Sequence, residues 1–288
     1  MEAWGPSLYS NDLACDIRGD YLDELKRGET NEEATLKLIK KNLCNMVDDE
    51  DEPLFWFALA DTQWNYGRLL QNVKDKALLF IESDKESERW KEAGAKQYKA
   101  WNNTLIKLQK KLNSPQPAEK KISKYRLYKC KWNLGDVFAY RFSSEYSREH
   151  GFYGKYIVFR KVSEDTWWPG HIIPVIQIYK WIGKSIPDSS TIINNELLPT
   201  IELQHSKSID LQNLNYNVKL VCESEASIPK ENIKLIGNQP GDDLIPFRGH
   251  SFWTGYKPVG WETSKYNTKF EHYVIDMLLS WHKAKASN

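Results

Sequence analysis

The chain has 288 residues, which is long enough for one large domain or two ordinary domains. Hydrophobic residues make up 41% and charged residues 27%, a globular composition that excludes a largely disordered chain. The 40 Lys and Arg residues balance the 39 Asp and Glu residues, so the net charge of +1 gives no general attraction to nucleic acid or to an anionic membrane.

Five helices are predicted over residues 1–112. Asn11 is suited to cap the first helix, which Gly28 ends. Thr30 and Glu33 have the spacing of a capping box that opens the second helix.

The third helix follows Pro53 and covers residues 54–66. Because it is apolar on nearly every side, we expect it to be the central buried helix. Two further helical patterns cover about residues 71–82 and 86–112, and the whole segment is predicted to be an all-α bundle.

Polar residues on these apolar helices are candidates for a polar pocket, which comprises Trp4, Asp12, Asp16, Asp61 and Gln63. Three carboxylates from facing helices would suit a metal-dependent hydrolase. The first histidine of the chain is His150, however, so the helical half lacks the Glu-x-x-His pairs of di-metal bundles. Caps and buried polar networks are the preferred interpretation.

The helical half resembles a bacterial domain of unknown function that opens with a W-G…N-D-x-A-x-D signature. The resemblance rests on Ala3-Trp4-Gly5, on Asn11-Asp12-x-Ala14-x-Asp16 and on the segment from Phe57 to Gly67. It covers about the first 80 residues and implies a bacterial helical domain without any assigned chemistry.

A linker is predicted at residues 113–124, where Asn113-Ser114-Pro115-Gln116-Pro117 interrupts the helical pattern. Residues 125–288 are predicted to form a β-rich domain that ends in a closing helix over residues 270–282. Strands are expected at 125–132, 135–142, 154–162 and 172–181. The predicted fold class is therefore α+β, with a helical bundle followed by an antiparallel, barrel-like sheet.

Aromatic residues mark a candidate partner-binding surface in this half, namely Tyr153, Trp167, Trp168 and His171. Tryptophan and tyrosine are common at binding hot spots, although aromatic clusters also pack the ends of sheets. His171 could act as a base, but no serine or cysteine stands in a recognisable nucleophile motif.

Residues 130–190 resemble a family of bacterial immunity proteins that neutralise polymorphic toxins. The resemblance rests on Gly135-Asp136-Val137-Phe138-Ala139, on the segment from Tyr153 to Phe159, and on an aromatic strand followed by Ile186-Pro187. It implies a small β-domain that binds and blocks another protein. The extension from about residue 190 to residue 288 departs from a minimal immunity domain.

The sequence thus favours a non-enzymatic, cytoplasmic bacterial protein that binds a toxin or a defence effector, without a cofactor, a metal or a membrane. The cysteines form no C-x-x-C pair and no leader or membrane span is visible, which supports this interpretation. The alternatives are the metal-dependent hydrolase and a nucleic-acid-binding module. The latter would use a basic edge made of Lys120, Lys121, Lys124, Arg126, Lys129 and Lys131.

Overall fold

The computed structural model describes residues 5–43, 51–83, 87–192, 194–200, 215–241, 244 and 257–286. Trp4, which belongs to the predicted polar pocket, lies outside these residues, as does Cys44. The chain divides into two compact units, residues 1–125 and residues 126–288. Helices dominate the first unit and a sheet dominates the second, so the α+β class is confirmed.

The helices of the first unit, within the described residues, are α1 (Asp12–Arg27), α2 (Asn31–Leu43), α3 (Glu52–Asn65), α4 (Gln71–Ser83), α5 (Ser87–Glu92) and α6 (Ala95–Leu112). The predicted caps are confirmed. The Asn11 side chain accepts a hydrogen bond from the Leu13 N–H at 2.8 Å, and Gly28 ends α1 with a left-handed φ of 106°. Thr30 and Glu33 exchange hydrogen bonds in a capping box that opens α2.

Helix α3 is the central helix of this unit, as the sequence predicts. Every residue from Pro53 to Gln63 is buried, and α3 packs against α1, α4 and α6. Trp101 of α6 is 1% exposed and lies between Phe57 of α3 and Trp90 of α5, with ring centroids 6.4 Å and 5.3 Å away. The aromatic residues of the helical half therefore serve mainly as its core.

The prediction of one continuous helix over residues 86–112 is wrong. The segment forms α5 and α6, and the break falls at Gly94, whose φ of 113° is left-handed and outside the helical range. Sequence periodicity continues across the break because Trp90 and Trp101 pack in the same core.

Residues 113–125 form no helix or strand and contact the helical unit through backbone hydrogen bonds. The Lys120 N–H donates to the Tyr66 carbonyl at 3.0 Å, and the Tyr125 N–H donates to the Lys26 carbonyl at 2.8 Å. Gly67 has a φ of 67°, and a side chain there would collide with the backbone at Pro117. The division between the units accordingly follows Tyr125.

The second unit contains a sheet of β1 (Asp136–Arg141), β2 (Tyr156–Trp167), β3 (His171–Gly183), β4 (Asn217–Val221), β5 (Ile233–Asn238) and β6 (Lys257–Gly260). Its helices among the described residues are α7 (Glu145–Glu149), α8 (Ser189–Ile192) and α9 (Phe270–Ala286). The closing helix predicted from residue 270 is confirmed.

The sheet order is β5-β1-β2-β3-β4-β6, with every neighbouring pair antiparallel except β4 and β6, which are parallel. The predicted antiparallel, barrel-like sheet is therefore wrong, because the six described strands form an open, mixed sheet. The position of α9 explains why the sheet can stay open. Its residues Phe270, Val274 and Leu278 fill the core on one face of the sheet, where a barrel would have placed further strands.

The strand predicted at residues 125–132 is also wrong. Within the described residues, this segment pairs with the sheet through one isolated bridge, between Lys129 and Ile172. Burial does alternate from Leu127 to Cys130, where Tyr128 and Cys130 are buried and Leu127 is 51% exposed, but the backbone does not continue as a strand.

Glu271 fixes the start of α9 from inside the core. Its side chain is fully buried and accepts hydrogen bonds from the Tyr140 hydroxyl at 2.8 Å and from the backbone N–H groups of Ser143 and Ser144 at 2.8 Å and 2.9 Å. A buried carboxylate is tolerated because these donors compensate for its lost hydration. The start of α9 is thereby tied to the loop that leads into α7.

None of the helices in the described ranges combines the length and the apolar content that crossing a lipid bilayer requires.

Candidate functional site

The carboxylates of the predicted polar pocket do not come together. Asp61 is buried on α3 and contacts the Tyr9 hydroxyl at 2.9 Å, the Asn65 amide at 2.8 Å and the Lys111 ammonium at 2.6 Å. Asp12 and Asp16, in contrast, are exposed on α1. Within the described ranges, no three His, Cys, Asp or Glu side chains are grouped as metal ligands would be.

Gln63, the remaining described member of that pocket, has a packing role. Its amide nitrogen donates to the Thr35 hydroxyl at 2.7 Å, and its amide oxygen accepts from the Leu70 N–H at 3.0 Å. Because Gln63 is fully buried, these bonds tie α3 to α2 and to the turn before α4. The polar residues of α3 thus form buried networks.

Trp167 and Trp168 lie at the turn between β2 and β3 and differ in their surroundings. The Trp167 ring meets the Tyr266 ring edge-on, with centroids 5.5 Å apart, and packs against the sheet core. Trp168 is 58% exposed. One tryptophan therefore packs the end of the sheet, while the other presents most of its surface to solvent.

His171, at the start of β3, is 7% exposed. Its Nδ1 accepts a hydrogen bond from the Tyr128 N–H at 2.8 Å. Burial lowers the pKa of the imidazole, partly opposed by the Glu223 carboxylate. A neutral His171 holds the segment before β1 against the sheet, which is a structural role.

Tyr153 lies far from these residues, so the four-residue surface predicted from the sequence is not assembled. Strand β2 separates Tyr153 from Trp167, and its 12 residues span roughly 35 Å at the usual rise of a strand. Two separate exposed aromatic positions result, Tyr153 at one end of β2 and Trp168 beyond the other.

A second aromatic group accompanies Tyr153 at its end of the sheet. The Tyr146 ring on α7 lies between the imidazoles of His150 and His272, with centroid distances of 4.2 Å and 3.9 Å. Its hydroxyl donates to Asp276 at 2.6 Å, which raises the pKa of Tyr146 to about 12 and keeps the phenol protonated. The stack joins α7 to the exposed side of α9.

Arg148 and Tyr153 form the adjoining pair. The guanidinium carbon of Arg148 lies 3.9 Å from the centroid of the Tyr153 ring, and its Nε donates to Glu145 at 3.2 Å. Tyr153 is 44% exposed, and Arg148 is also exposed. In the part of the chain that the structure describes, the two terminal nitrogens of Arg148 meet no carboxylate.

We call this region the α7 surface; its members are Tyr146, Arg148, His150, Tyr153 and His272. It has the composition of a protein-binding hot spot, because tyrosine and arginine provide large contact areas together with directed hydrogen bonds. The short α7 is held rigidly, since the Ser144 hydroxyl accepts from the Ser147 N–H and donates to Glu271.

Sequence reasoning identified only Tyr153 in this group. A usable signal was the run from Tyr146 to Tyr153, which places two tyrosines, an arginine and a histidine within eight residues. No local signal could find His272, because it reaches Tyr146 only through the packing of α9.

The basic edge predicted for nucleic-acid binding is not a strand edge. Lys120 lies 5.4 Å from the centroid of the Tyr66 ring, and Lys131 pairs with Glu225 at 3.2 Å. The division between the two units falls inside this segment, after Tyr125.

No protein-family model, curated protein or solved structure matches the chain. The contacts described above are therefore the basis of the functional proposal.

Proposed function

We propose that this chain is a non-enzymatic protein that binds another protein through the α7 surface. The observation that carries the proposal is the exposed Arg148 guanidinium stacked on Tyr153 at 3.9 Å. Stacking fixes the orientation of the guanidinium before a partner arrives, which reduces the entropy lost on binding.

The proposed partner presents a carboxylate to the terminal nitrogens of Arg148. Arginine binds carboxylates through two parallel hydrogen bonds, and such charge-assisted bonds are about twice as strong as neutral ones. The exposed imidazoles of His150 and His272 add further hydrogen-bonding groups around α7. The neighbouring Tyr153 ring supplies an apolar contact beside the charge.

Within this class we propose an immunity or conflict-system role in a bacterium. The α7 surface falls largely inside residues 130–190, the part of the chain that resembles toxin-neutralising immunity proteins. The partner would then be a toxin or defence effector, and neutralisation would require only tight binding over a site that the partner needs.

A growth assay tests the proposal. The product of an adjacent gene is expressed in a laboratory bacterium with and without this chain, and the wild-type chain should restore growth. The variants Arg148→Ala and Tyr153→Ala should lose protection and weaken binding to the purified partner by about 30-fold each, as expected for hot-spot residues.

Tyr98→Ala provides a control in the helical unit, where the Lys91 ammonium lies 5.7 Å from the centroid of the Tyr98 ring. This variant should protect and bind like the wild type. If no adjacent product is toxic or binds the chain, the immunity role is rejected. If a partner binds folded Arg148→Ala and Tyr153→Ala with wild-type affinity, the α7 surface is rejected as the binding site.

A further inference from the structure

The second unit contains a cavity of about 520 Å³ that is lined by residues of β3, of α9 and of the segments that precede β4. This volume lies in the range of small-molecule sites in proteins. The described residues that line it are Lys180, Glu196, Leu197, Pro199, Tyr216 and Trp281.

Backbone hydrogen bonds hold one wall of the cavity in place. The Lys180 N–H donates to the Glu196 carbonyl at 2.7 Å, and the Leu198 N–H donates to the Ile178 carbonyl at 2.7 Å. These bonds attach residues 196–198 to the part of β3 that follows the positions where β3 pairs with β4. The wall therefore exists before any ligand binds, which limits the ordering cost of binding.

Charge and aromatic surface meet inside the cavity. The Lys180 ammonium lies 4.4 Å from the centroid of the Trp281 ring and pairs with the Glu196 carboxylate. The Lys180 side chain is only 16% exposed, whereas that of Glu196 is 70% exposed. The cation is thus sheltered against an aromatic ring, and its anion stands at the rim.

We propose that this cavity binds a small organic anion with a flat, apolar body. The ligand carboxylate would take the place of the solvent-exposed Glu196 carboxylate on Lys180. The flat body would pack against Trp281, Tyr216 and Pro199, which offer the apolar lining of the site. Exchange is favourable because the exposed Glu196 carboxylate stays hydrated at the rim when it is displaced, while the ligand buries apolar area.

Isothermal titration calorimetry of the full chain with naphthalene-2-carboxylate tests this site, and neutral 2-naphthylmethanol provides the matched probe. The carboxylate should bind measurably, and about tenfold more tightly than the alcohol, as a charge-assisted hydrogen bond predicts. Lys180→Met should remove this preference. The absence of measurable carboxylate binding at millimolar concentration overturns the proposal.

Glu196→Gln sharpens the test, because its exposed side chain can change without loss of folding. Removing the competing carboxylate should tighten naphthalene-2-carboxylate binding several-fold while leaving 2-naphthylmethanol unchanged. Trp281→Leu should weaken both probes, whereas Trp168→Leu, at the distant hairpin turn, should weaken neither. Equal carboxylate affinity in the wild type, Lys180→Met and Glu196→Gln overturns the site. These measurements need no protein partner and are independent of the proposed function.

Discussion

At the scale of single residues, buried polar side chains stabilise this protein by making specific hydrogen bonds. Asp61, His171 and Glu271 are each less than 10% exposed, and each contacts at least one donor. Leaving such a group without a partner costs about 1–3 kcal/mol or more. These positions therefore tolerate substitution far less well than the exposed residues of the α7 surface.

His171 should make the second unit less stable in mild acid. Its folded pKa lies below the ordinary value of about 6.5, so the unfolded chain binds the proton more tightly. The stabilising contribution of the neutral form is present above about pH 6.5 and is lost as the pH falls through the folded pKa.

His171→Asn keeps a side-chain acceptor near the Tyr128 N–H but does not titrate. Urea unfolding between pH 7.5 and pH 5 should show a smaller loss of stability in this variant than in the wild type. If His171→Asn is folded at pH 7.5 and yet loses as much stability as the wild type at pH 5, this role of His171 is contradicted.

At the scale of elements, α7 and α9 behave as one structural group. Glu271 ties the start of α9 to Ser143 and Ser144, and Tyr146 of α7 hydrogen bonds to Asp276 of α9. The α7 surface is built on this group, so its geometry depends on a residue that no partner would touch.

Glu271→Ala should destabilise the second unit by roughly 3 kcal/mol or more, because the hydroxyls of Tyr140 and Ser144 and the backbone N–H groups of Ser143 and Ser144 lose their acceptor. Glu271→Gln should cost less, since one amide oxygen still accepts hydrogen bonds. Urea unfolding measures both. Glu231→Gln, at an exposed position, is the control and should change stability by less than about 0.5 kcal/mol. If Glu271→Ala changes stability as little as the control, Glu271 does not hold the start of α9 to the loop that contains Ser143 and Ser144.

At the scale of the whole molecule, the chain consists of two units with separate hydrophobic cores. The segment 113–125 belongs to the first unit, and Ile122 packs against the core of that unit. Gln116 accepts from the Leu69 N–H at 2.8 Å, and the Tyr125 hydroxyl donates to Asp23 at 2.6 Å. A fragment that ends at residue 112 would lose these contacts.

The fragment 1–125 should therefore fold cooperatively and be about 2–4 kcal/mol more stable than the fragment 1–112, at about 1 kcal/mol for each lost hydrogen bond. Circular dichroism at 222 nm with urea provides the measurement. Tyr125→Phe in the longer fragment removes only the bond to Asp23 and should cost about 1 kcal/mol. Equal stability of the two fragments would show that the segment contributes nothing to the helical unit.

Local sequence signals determined much of the helical unit. Asn11, Gly28 and the capping box at Thr30 act within one turn of the helix ends that they mark, so neighbouring residues suffice to predict them. The apolar sequence of α3 likewise required a central position, because no side of it can face water. The strands β1, β2 and β3 could be predicted because they are runs rich in Val, Ile, Phe and Tyr, although most of their residues are buried and burial does not alternate along them.

Only the tertiary structure decided the sheet order, the covering of its face by α9 and the position of the candidate sites. Strand periodicity carries no information about which distant strand pairs with which, so the parallel β4–β6 pair and the open sheet were missed. Tyr153 and Trp168 are near one another in the sequence, yet the length of β2 separates them. Tyr146 and His272 are 126 residues apart and stack at 3.9 Å, because long-range packing places α9 beside α7.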